Sequence, residues 1–548
     1  AGFYLYIGDN QAETRPVFFG MVNAWRKKTG ARMVTVDPRL SATAAKSDEW
    51  LGIRSGTDMA LGLALIYTIF EQQLEDKRFC TDWIIGLQDW RDFIMGKGYT
   101  ADWAAPITDL SAARIRRLAQ EIAAADGCMI YCSRGLNQHS NSVQTNRVFM
   151  FLAAITGNIG RKGGGYFNMT SELALNCSIP SGRNVPVTRS AVGRGPMTWM
   201  KAITEGNPYP IRAMIAGNNP FSSWPAQDKV RASVDALDLI VHIELFKNET
   251  SHMADYVLPA ASGIEKGGIT RSSEDRRTIW NDKLIDPPGQ AKADSWIWTE
   301  LGKRFGFDDI MTEEYKDTAV FWDSICNQTE DMRGCTTERM RSRPNRTLRS
   351  PLPEIGAPEL GTFELGRPED QTVGAKYLVD TKSGKLEFWT KEIEATFSQF
   401  GLSALPEFYS EREQLIDMAF LSCTEETAHA SPFYKNTLAS KFEIMQPDAN
   451  SDGQTLRSLG FDTELLTGRP PAPHFHSWTH YFWQSQEMWP DLYVQIHPKK
   501  AHGLGIQDGE TVKVESSEGV ITARAWIRTG IRETAVFIPI GWGEKQPY

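Results

Sequence analysis

The sequence is poor in cysteine, and the cysteines that it has are scattered. Seven cysteines are spread over 548 residues without a C-x-x-C pair. Neither a disulfide framework nor a four-cysteine cage for zinc or an iron–sulfur cluster is therefore predicted. Cys128 and Cys132 lie within one apolar run, where a cysteine behaves as a small buried hydrophobic residue. We predict no metal ion held by the side chains of this chain.

Long apolar runs and an excess of basic residues are also absent. No stretch of about 18 consecutive apolar residues is present, so the sequence contains no candidate transmembrane helix. Acidic and basic residues are mixed throughout and sum to a net charge of −9, which offers no basic face to nucleic acid or an anionic membrane. Apolar residues make up 41% of the chain and charged residues 23%, as in globular proteins, and the length predicts about two to four domains.

The beginning of the chain has the pattern of a strand, a helix and a second strand. An apolar run at residues 3–7 stops at Gly8–Asn10, where the backbone can turn tightly and present N–H groups. Apolar residues at helical spacing follow at residues 15–28, and a β-branched strand at residues 32–36 ends at Asp37–Arg39. This order predicts a parallel β-α-β unit.

The two polar turns should lie together, because the carboxyl ends of parallel strands meet at one edge of a sheet. There Asp37 can accept hydrogen bonds from a ribose or a base, and Arg39 can bind a phosphate through two parallel bonds. No G-x-G-x-x-G pattern surrounds Gly8, so this unit alone leaves a nucleotide site and a plain α/β core as open alternatives.

The stretch Ile53–Asp58 opens a long apolar helix and completes a series of loops that resembles the dimethyl sulfoxide reductase family of molybdopterin oxidoreductases. Members carry two molybdopterin guanine dinucleotides around one molybdenum or tungsten ion. The resemblance rests on the order and spacing of Gly8–Asn10, Asp37–Arg39, Arg54–Asp58 and Thr467–Arg469. The cofactor-binding residues that it implies are Gly8, Asp9, Asn10, Asp37, Pro38, Arg39, Thr43, Gly56, Asp58, Arg134, Gly135, Gly217, Asn218, Asn219, Thr467, Gly468, Arg469, His474, His476 and Ser477.

Strand and helix patterns alternate in two parts of the chain. Besides the first unit, they include a helix at residues 111–125 and strands at residues 128–132, 211–216 and 239–244. We predict an α/β fold with two related doubly wound parallel-sheet domains. The later strands end in polar turns, as the first one does, which indicates a second, related nucleotide site.

The predicted domain boundaries follow from these changes of pattern. The first α/β domain, which binds a dinucleotide, covers residues 1–168, and the second covers residues 169–425. Within the second, residues 330–372 are rich in Arg, Pro, Gly and Glu and lack periodicity, so a long surface excursion is predicted there. Residues 426–548 form a third, cofactor-binding domain.

That third domain has a β pattern. Strands are predicted at residues 492–496, 511–515, 519–527 and 535–540, and turns with Asp-Gly or Glu-Gly separate them. A small β barrel of the six-stranded type fits this pattern best. Family members end in such a barrel.

Two departures from the family pattern concern the ends of the chain. The iron–sulfur lobe that precedes Gly8 in most members, with its metal-ligating loop, has no counterpart after Ala1. We expect that lobe, with a [4Fe-4S] cluster, in a longer source protein. The segment that usually follows the last barrel strand, near Trp542, is also short. The resemblance further implies a ferredoxin-like electron-transfer subunit as a partner, and the sequence assigns no compartment.

The loop after the strand at residues 128–132 holds the candidate catalytic residues Gln138 and His139. α/β proteins bind ligands at this edge of the sheet. His139 can transfer a proton near neutral pH, and Gln138 can donate or accept a hydrogen bond. The alternative is that His139 caps the next helix or contacts solvent. The resemblance favours catalysis, because this loop lies near the metal and the pterins in related enzymes.

Two other motifs each have a functional and a structural interpretation. The glycine cluster Gly157–Gly165 can admit a polyanionic cofactor to its backbone or form a turn, and we expect both. His474, His476 and His480 have a zinc-like spacing. No cysteine or acidic residue adjoins them, and the resemblance assigns their segment to pterin and phosphate contacts.

Together these features predict the catalytic subunit of a molybdenum- or tungsten-dependent oxidoreductase that performs two-electron chemistry on a small substrate. The loop Gln138–Ser140 resembles that of formate dehydrogenases, yet the arginine that those enzymes carry after the glycine cluster is missing. Residues 168–176 contain Glu172 instead, which favours a neutral or phenolic substrate over an anion. The alternatives are formate oxidation, a hydratase or dehydroxylase resembling acetylene hydratase, and a cofactor-less structural subunit of a respiratory complex.

Overall fold

The computed structural model describes residues 1–139, 141–168, 196–206, 209–224, 227–272, 276–326, 330–359, 365, 379, 381–398, 403–408, 460–469, 481–516 and 519–542. The chain divides into two compact units. Unit 1 comprises Ala1–Thr170, Thr362–Phe475 and Glu487–Ile540, and unit 2 comprises Ser171–Gly361, His476–Gln486 and Gly541–Tyr548. Each unit therefore contains segments that are distant in sequence.

The described strands, in chain order, are β1 (Phe3–Ile7), β2 (Arg32–Val36), β3 (Glu49–Leu51), β4 (Ile84–Ile85), β5 (Cys128–Cys132), β6 (Gly165–Asn168), β7 (Ala213–Gly217), β8 (Leu239–Glu244), β9 (Tyr256–Pro259), β10 (Gly268–Ser272), β11 (Arg277–Asn281), β12 (Thr347–Arg349), β13 (Leu386–Glu387), β14 (Glu464–Gly468), β15 (Tyr493–Ile496), β16 (Thr511–Ser516), β17 (Gly519–Ile527) and β18 (Ala535–Pro539).

The described α-helices are α1 (Gln11–Thr14), α2 (Pro16–Thr29), α3 (Asp58–Glu71), α4 (Lys77–Trp83), α5 (Leu87–Lys97), α6 (Ala101–Thr108), α7 (Ala112–Ala124), α8 (Arg134–Asn137), α9 (Ser142–Ile155), α10 (Pro196–Glu205), α11 (Pro220–Ser223), α12 (Gln227–Asp235), α13 (Glu249–Met253), α14 (Gly263–Lys266), α15 (Asp294–Arg304), α16 (Thr318–Cys326), α17 (Thr337–Arg341), α18 (Lys391–Ser398), α19 (Trp483–Met488) and α20 (Pro498–Leu504). Short 3-10 helices lie at Ala44–Lys46, Glu313–Lys316 and Glu330–Met332. Among these helices, none combines the length and the apolar character that crossing a membrane requires.

The main sheet of unit 1 has five parallel strands in the order β3-β2-β1-β5-β6. Side chains alternate between its two faces along β1. Leu5 and Ile7 join the core formed with α3, α7 and α9. Tyr4 and Tyr6 pack on the other face with Phe19 of α2. Helices therefore cover both faces, and the doubly wound fold predicted for this part of the chain is confirmed.

A second sheet of unit 1 comes from the carboxyl-terminal part of the chain. Its strand order is β14-β18-β15-β17-β16, with Val494, Ile496 and Ile538 in its core. Parallel and antiparallel pairs both occur. The sheet curls into a half-barrel whose strands include all four that the sequence predicted. The described strands leave β14 and β16 as its edges.

In unit 2, β7, β8 and β9 form a parallel sheet, and β10, β11 and β12 form an antiparallel sheet. Met200 of α10, Phe221 of α11 and Val230 of α12 pack with Ile240 of β8 in one core. The two strands predicted in this part of the chain are β7 and β8, and they pair in parallel. The predicted second α/β portion is therefore confirmed.

The surface excursion predicted for residues 330–372 is wrong over residues 330–359. This stretch contains α17 and β12, and Cys335, Met340 and Leu348 are buried in a cluster with Trp280. Its apolar residues are too far apart in sequence to produce a periodic pattern, although all of them enter the same core. The predicted domain boundaries at residues 168/169 and 425/426 reach outside the described residues and stay predictions.

Cys128 and Cys132 lie buried in β5. Burial raises the pKa of the Cys128 thiol to about 12 and holds the pKa of Cys132 well above its usual value. Both thiols are therefore protonated at neutral pH, as expected for cysteines that serve as core residues.

Candidate functional site

The loops that follow β1 and β5 touch each other through two glycines. Gly8 has a φ of 55°, and its carbonyl oxygen accepts a 3.0 Å hydrogen bond from the Gly135 N–H. A Cβ added to Gly135 would lie 2.5 Å from the Gly8 Cα, and one added to Gly8 would lie 2.8 Å from the Gly135 Cα. Only glycine fits at either position, so the two loops present bare backbone side by side.

The loop after β1 is held in shape by Asn10 and Thr43. The Asn10 Oδ1 accepts hydrogen bonds from the Thr43 N–H and hydroxyl, each at 3.2 Å, and its Nδ2 donates to the Glu13 carboxylate. Thr43 Oγ1 also accepts from the Ala12 N–H at 2.8 Å. Asp9 lies buried in the same turn. Thr43 therefore fixes the loop, while Asn10 faces the space beside it.

That space is a cavity of about 840 Å³ in unit 1, which is within the usual volume range of small-molecule sites. Most of the residues predicted to bind the cofactor or to act in catalysis line it. They are Gly8, Asn10, Asp37, Pro38, Arg39, Gly56, Asp58, Arg134, Gly135, Gln138, His139, Thr467, Gly468 and Arg469.

Sequence reasoning missed other residues that line the same cavity. They are Glu13, Thr14, Ser55, Ser133, Glu464, Leu465, Leu466, Phe537 and Ile540. Ser55 lies in the loop Ile53–Asp58, and Ser133 directly follows the strand predicted at residues 128–132. Both stretches contain residues that the sequence predicted to be functional, so these two serines could have been included. Phe537 enters through the pairing of β14 with β18, and the sequence gives no sign of which strands pair.

Three arginines bring positive charge to a cavity that is also lined by the carboxyl groups of Glu13, Asp37, Asp58 and Glu464. Arg39, Arg134 and Arg469 all line it, and the Arg39 guanidinium lies 4.0 Å from the centre of the Phe537 ring. Burial, together with the nearby positive charge of Arg134, lowers the pKa of Arg469. Two guanidinium groups that repel each other in a partly enclosed site suit an anion with several charges, such as a diphosphate.

Asp37 is one of the carboxyl groups that line this cavity. Burial raises the pKa of Asp37 to about 6, although the Arg39 charge and the Arg39 N–H bond favour its ionised form. That N–H donates to Asp37 Oδ1 at 2.9 Å, and Trp50 Nε1 donates to the Asp37 carbonyl oxygen at 2.8 Å. The carboxyl group is thus fixed in place at the end of β2 and can accept hydrogen bonds from a ribose or a base.

His139 and Gln138 reach the cavity from the short segment after α8. Gln138 is exposed and His139 half-buried, and both line the cavity. The residue that begins α9 as its N-cap is Asn141. The proton-transfer role of His139 and the alternative that it caps this helix or contacts solvent both stay predictions.

Ion pairs and a hydrogen bond connect the segments next to the two sheets of unit 1, the parallel sheet and the carboxyl-terminal sheet. The Asp109 carboxylate accepts from Arg54 at 2.8 Å and from Arg532. Burial alone would raise the pKa of Asp109, but the hydrogen bonds from the two arginines outweigh it and lower the pKa. The Leu40 N–H also donates to the Gly530 carbonyl oxygen at 2.8 Å. These contacts hold together the two sheets that line the cavity.

The predicted residues Gly217, Asn218 and Asn219 belong to unit 2. The Asn219 Oδ1 accepts from the Thr250 hydroxyl at 2.9 Å, and the Asn218 carbonyl oxygen lies 2.6 Å from His242 Nε2. These bonds define the turn after β7. Its role in cofactor binding stays a prediction.

Other predicted residues lie elsewhere. The glycine cluster Gly157–Gly165 ends at the start of β6, and a Cβ on Gly127 would lie 2.5 Å from the Gly163 carbonyl oxygen. This is the amino edge of the sheet, opposite the cavity, so the cluster forms the predicted turn but makes no contribution to the cavity. The segment with His474, His476 and Ser477 lies outside the described residues.

Comparison with known proteins assigns this architecture to a family. Residues 1–304 match the family model described as molybdopterin oxidoreductase, and residues 464–547 match the model described as molybdopterin dinucleotide binding domain. The first match covers more than half of the chain, so the chain belongs to the molybdopterin oxidoreductase family. It is an enzyme of the molybdopterin-dependent oxidoreductase class.

Individual relatives differ in the reaction that they are named for. The chain is 23% identical to the thiosulfate reductase molybdopterin-containing subunit PhsA of Salmonella typhimurium, over 99% of this chain and 68% of the relative. It is 27% identical to the F420-dependent formate dehydrogenase subunit alpha of Methanocaldococcus jannaschii, over 99% of this chain and 72% of the relative. The structure of acetylene hydratase from Pelobacter acetylenicus matches with a TM-score of 0.71 at 22% identity, covering 100% of this chain and 72% of the other. That likeness shows a shared fold.

Proposed function

We propose that this chain is the cofactor-binding part of a catalytic subunit that holds bis-molybdopterin guanine dinucleotide with molybdenum or tungsten. In this proposal it performs two-electron chemistry on a small substrate. One observation supports it above the others. One cavity is lined by three arginines, by the carboxyl group of Asp37, and by two glycines whose close contact leaves no room for a side chain at either position.

The residues present fit such a cofactor. Arg39, Arg134 and Arg469 would bind its diphosphate, which suits guanidinium groups in both charge and shape. Asp37 would accept hydrogen bonds from the guanine or its ribose, and the Gly8–Gly135 contact would let the cofactor approach the backbone closely. When bound, the cofactor supplies a metal centre that exchanges two electrons with the substrate.

His139 would transfer a proton to or from the substrate, and Gln138 would orient the group that takes part. An imidazole can accept a proton as a neutral ring and donate one as a cation near neutral pH. Gln138 can orient a substrate oxygen or a water molecule, because its amide both donates and accepts. In this account the protein supplies position, charge and proton transfer.

Three further parts of the proposal lie beyond this cavity. Gly217, Asn218 and Asn219 in unit 2 would bind the second dinucleotide, because their turn repeats the chemistry of the turn after β1. A [4Fe-4S] cluster and a ferredoxin-like partner subunit would carry electrons away. Two of the relatives are named as subunits, which supports a multi-subunit assembly.

The substrate is proposed to be neutral or phenolic rather than formate. The support is in the sequence: residues 168–176 contain Glu172 and no arginine, whereas the formate dehydrogenases that the chain resembles carry an arginine there that suits a small anion. Formate oxidation is the second candidate, because three relatives are named formate dehydrogenases.

The test is metal analysis of the purified protein followed by turnover assays with a redox dye. Formate, thiosulfate and a catechol are compared with the dye, and acetylene is followed by acetaldehyde formation, because its hydration transfers no electrons. We expect molybdenum or tungsten to be present, turnover of a neutral or phenolic substrate, and loss of turnover in His139→Ala. Metal-free protein would contradict the proposed function, fast formate oxidation would contradict the substrate class, and full turnover in His139→Ala would remove His139 from the mechanism.

A further inference from the structure

Four polar side chains next to the loop of Gln138 and His139 are hydrogen-bonded to one another. One of them, Asn137, directly precedes Gln138 in the chain. The group joins the end of α8, the first half of α9 and the end of β6. All its members are half-buried. Its members, named the asparagine cluster here, are Asn137, Asn146, Tyr166 and Asn168.

Asn146 is the centre of the asparagine cluster. Its Oδ1 accepts hydrogen bonds from the Tyr166 hydroxyl and from Asn168 Nδ2, both at 2.6 Å. Its Nδ2 donates to Asn137 Oδ1 at 3.0 Å and to the Ser142 carbonyl oxygen at 2.8 Å. The amides of Asn137 and Asn168 exchange two further bonds, at 3.2 and 3.3 Å. Because each amide both donates and accepts, every orientation in the cluster depends on the others.

The asparagine cluster is hydrogen-bonded to a short segment of chain that is not stable as an isolated helix. α8 is a single turn of four residues, and an isolated turn of that length is unstable. The contact between Gly135 and Gly8 fixes its first half, and the side chain of Asn137 fixes its end. Beyond the loop, Asn141 Nδ2 donates to the Glu407 carbonyl oxygen at 3.2 Å. Gln138 and His139 therefore lie between two fixed points.

We propose that the asparagine cluster is a positioning device that sets the direction in which Gln138 and His139 face the cavity. Its residues contact neither substrate nor cofactor in this account, and they act through the backbone of α8. The inference rests on the proposed function, because it takes Gln138 and His139 to act at that cavity. Orienting groups of this kind typically change activity by about 10- to 100-fold when they are lost.

Two variants probe the cluster in the full-length holoenzyme. Asn146→Asp keeps the acceptor for Tyr166 and Asn168 but removes both donated bonds. Tyr166→Phe removes a single hydroxyl and adds no charge, so it separates a loss of bonding from a new negative charge.

Asn158→Asp is the matched control. Asn158 is buried, its Oδ1 accepts from the Cys128 N–H at 2.8 Å, and its Nδ2 donates to Thr156. It lies at the opposite edge of the same sheet. The substitution therefore removes donated hydrogen bonds, as Asn146→Asp does, but from a more deeply buried residue at the edge away from the loop.

The test of the asparagine cluster has two readouts, the kcat per bound metal atom and the rate of hydrogen exchange in the loop. We expect kcat per bound metal atom to fall about 10- to 100-fold in Asn146→Asp and less in Tyr166→Phe, with KM close to that of the wild type. We expect kcat per metal atom to be unchanged in Asn158→Asp, even if its thermal midpoint falls. Hydrogen exchange of the peptide that spans residues 133–145 should accelerate in Asn146→Asp and Tyr166→Phe but not in Asn158→Asp.

Equal kcat per metal atom in all three variants would overturn the inference. So would unchanged exchange of residues 133–145 in the two cluster variants. The exchange experiment also separates the two proposals. If the wild-type protein holds no metal and turns over no substrate, the proposed function fails, while exchange still shows whether the cluster fixes the loop.

Discussion

At the scale of single residues, the contact between Gly8 and Gly135 requires glycine at both positions. In Gly135→Ala, the new Cβ would meet backbone atoms at 2.5 Å, and backbone cannot move aside as a flexible side chain can. We expect a loss of roughly 1–3 kcal/mol in the free energy of unfolding, seen as a lower thermal midpoint, and a loss of bound guanine nucleotide.

The control for this substitution is Gly20→Ala in α2. A Cβ added there meets nothing within 4 Å, and alanine favours a helix over glycine by about 0.5–1 kcal/mol. We expect an unchanged or higher thermal midpoint and full nucleotide content. Equal behaviour of Gly135→Ala and Gly20→Ala would show that the contact between the two loops is unimportant.

Asp37 gives a prediction about pH. Burial raises its pKa in the folded protein to about 6, above the value of about 3.9 for an unfolded chain. The folded cofactor-free protein therefore binds the proton more tightly, so this stabilising effect is full below about pH 4 and is lost as the pH rises through 6. Asp37→Asn carries no such charge. Its thermal midpoint relative to the wild type should therefore be higher at pH 7.5 than at pH 4.5, and a constant difference would contradict the raised pKa.

At the scale of secondary structure elements, Arg147 joins α9 to a distant part of the chain. Its guanidinium donates to the carbonyl oxygens of Ala404 at 2.6 Å and Phe388 at 3.0 Å, and burial lowers its pKa to about 10. In Arg147→Ala those carbonyl groups would lose their donors. We expect a loss of roughly 2–4 kcal/mol, measured as a fall in the thermal midpoint.

Arg78→Ala is the control for that loss. The Arg78 side chain is 93% exposed and pairs with Asp82 at 3.7 Å on the same helix, and such surface pairs contribute at most about 1 kcal/mol. A fall in the thermal midpoint for Arg147→Ala no larger than that for Arg78→Ala would show that Arg147 does not hold these elements together.

The elements that the sequence predicted well are those with a local signal. β1, β2, β5 and β8 have the predicted bounds, because each is an apolar or β-branched run bounded by polar turns. The stretch at residues 330–359 had no such signal. Its apolar side chains reach one core from several short elements, and only the tertiary fold brings them together.

At the scale of the whole molecule, the composition of the cavity depends on contacts between distant segments. The turns after β1, β2 and β5 could be placed together from sequence, because parallel strands end at one edge. The contribution of Phe537 could not, since it follows from the pairing of β14 with β18. Glu13 was missed because the predicted helix began at residue 15, whereas Glu13 lies in the short helix α1 that precedes it.

The central claim is that the cavity of unit 1 binds a guanine dinucleotide. The most direct test is to denature the purified full-length protein and to measure the released guanine nucleotide, in the wild type and in Arg469→Ala. We predict two guanine nucleotides per chain from the wild type and clearly less from Arg469→Ala, because the variant loses a cation that would bind the diphosphate. Wild-type protein that is folded and yet releases no guanine nucleotide would contradict the account.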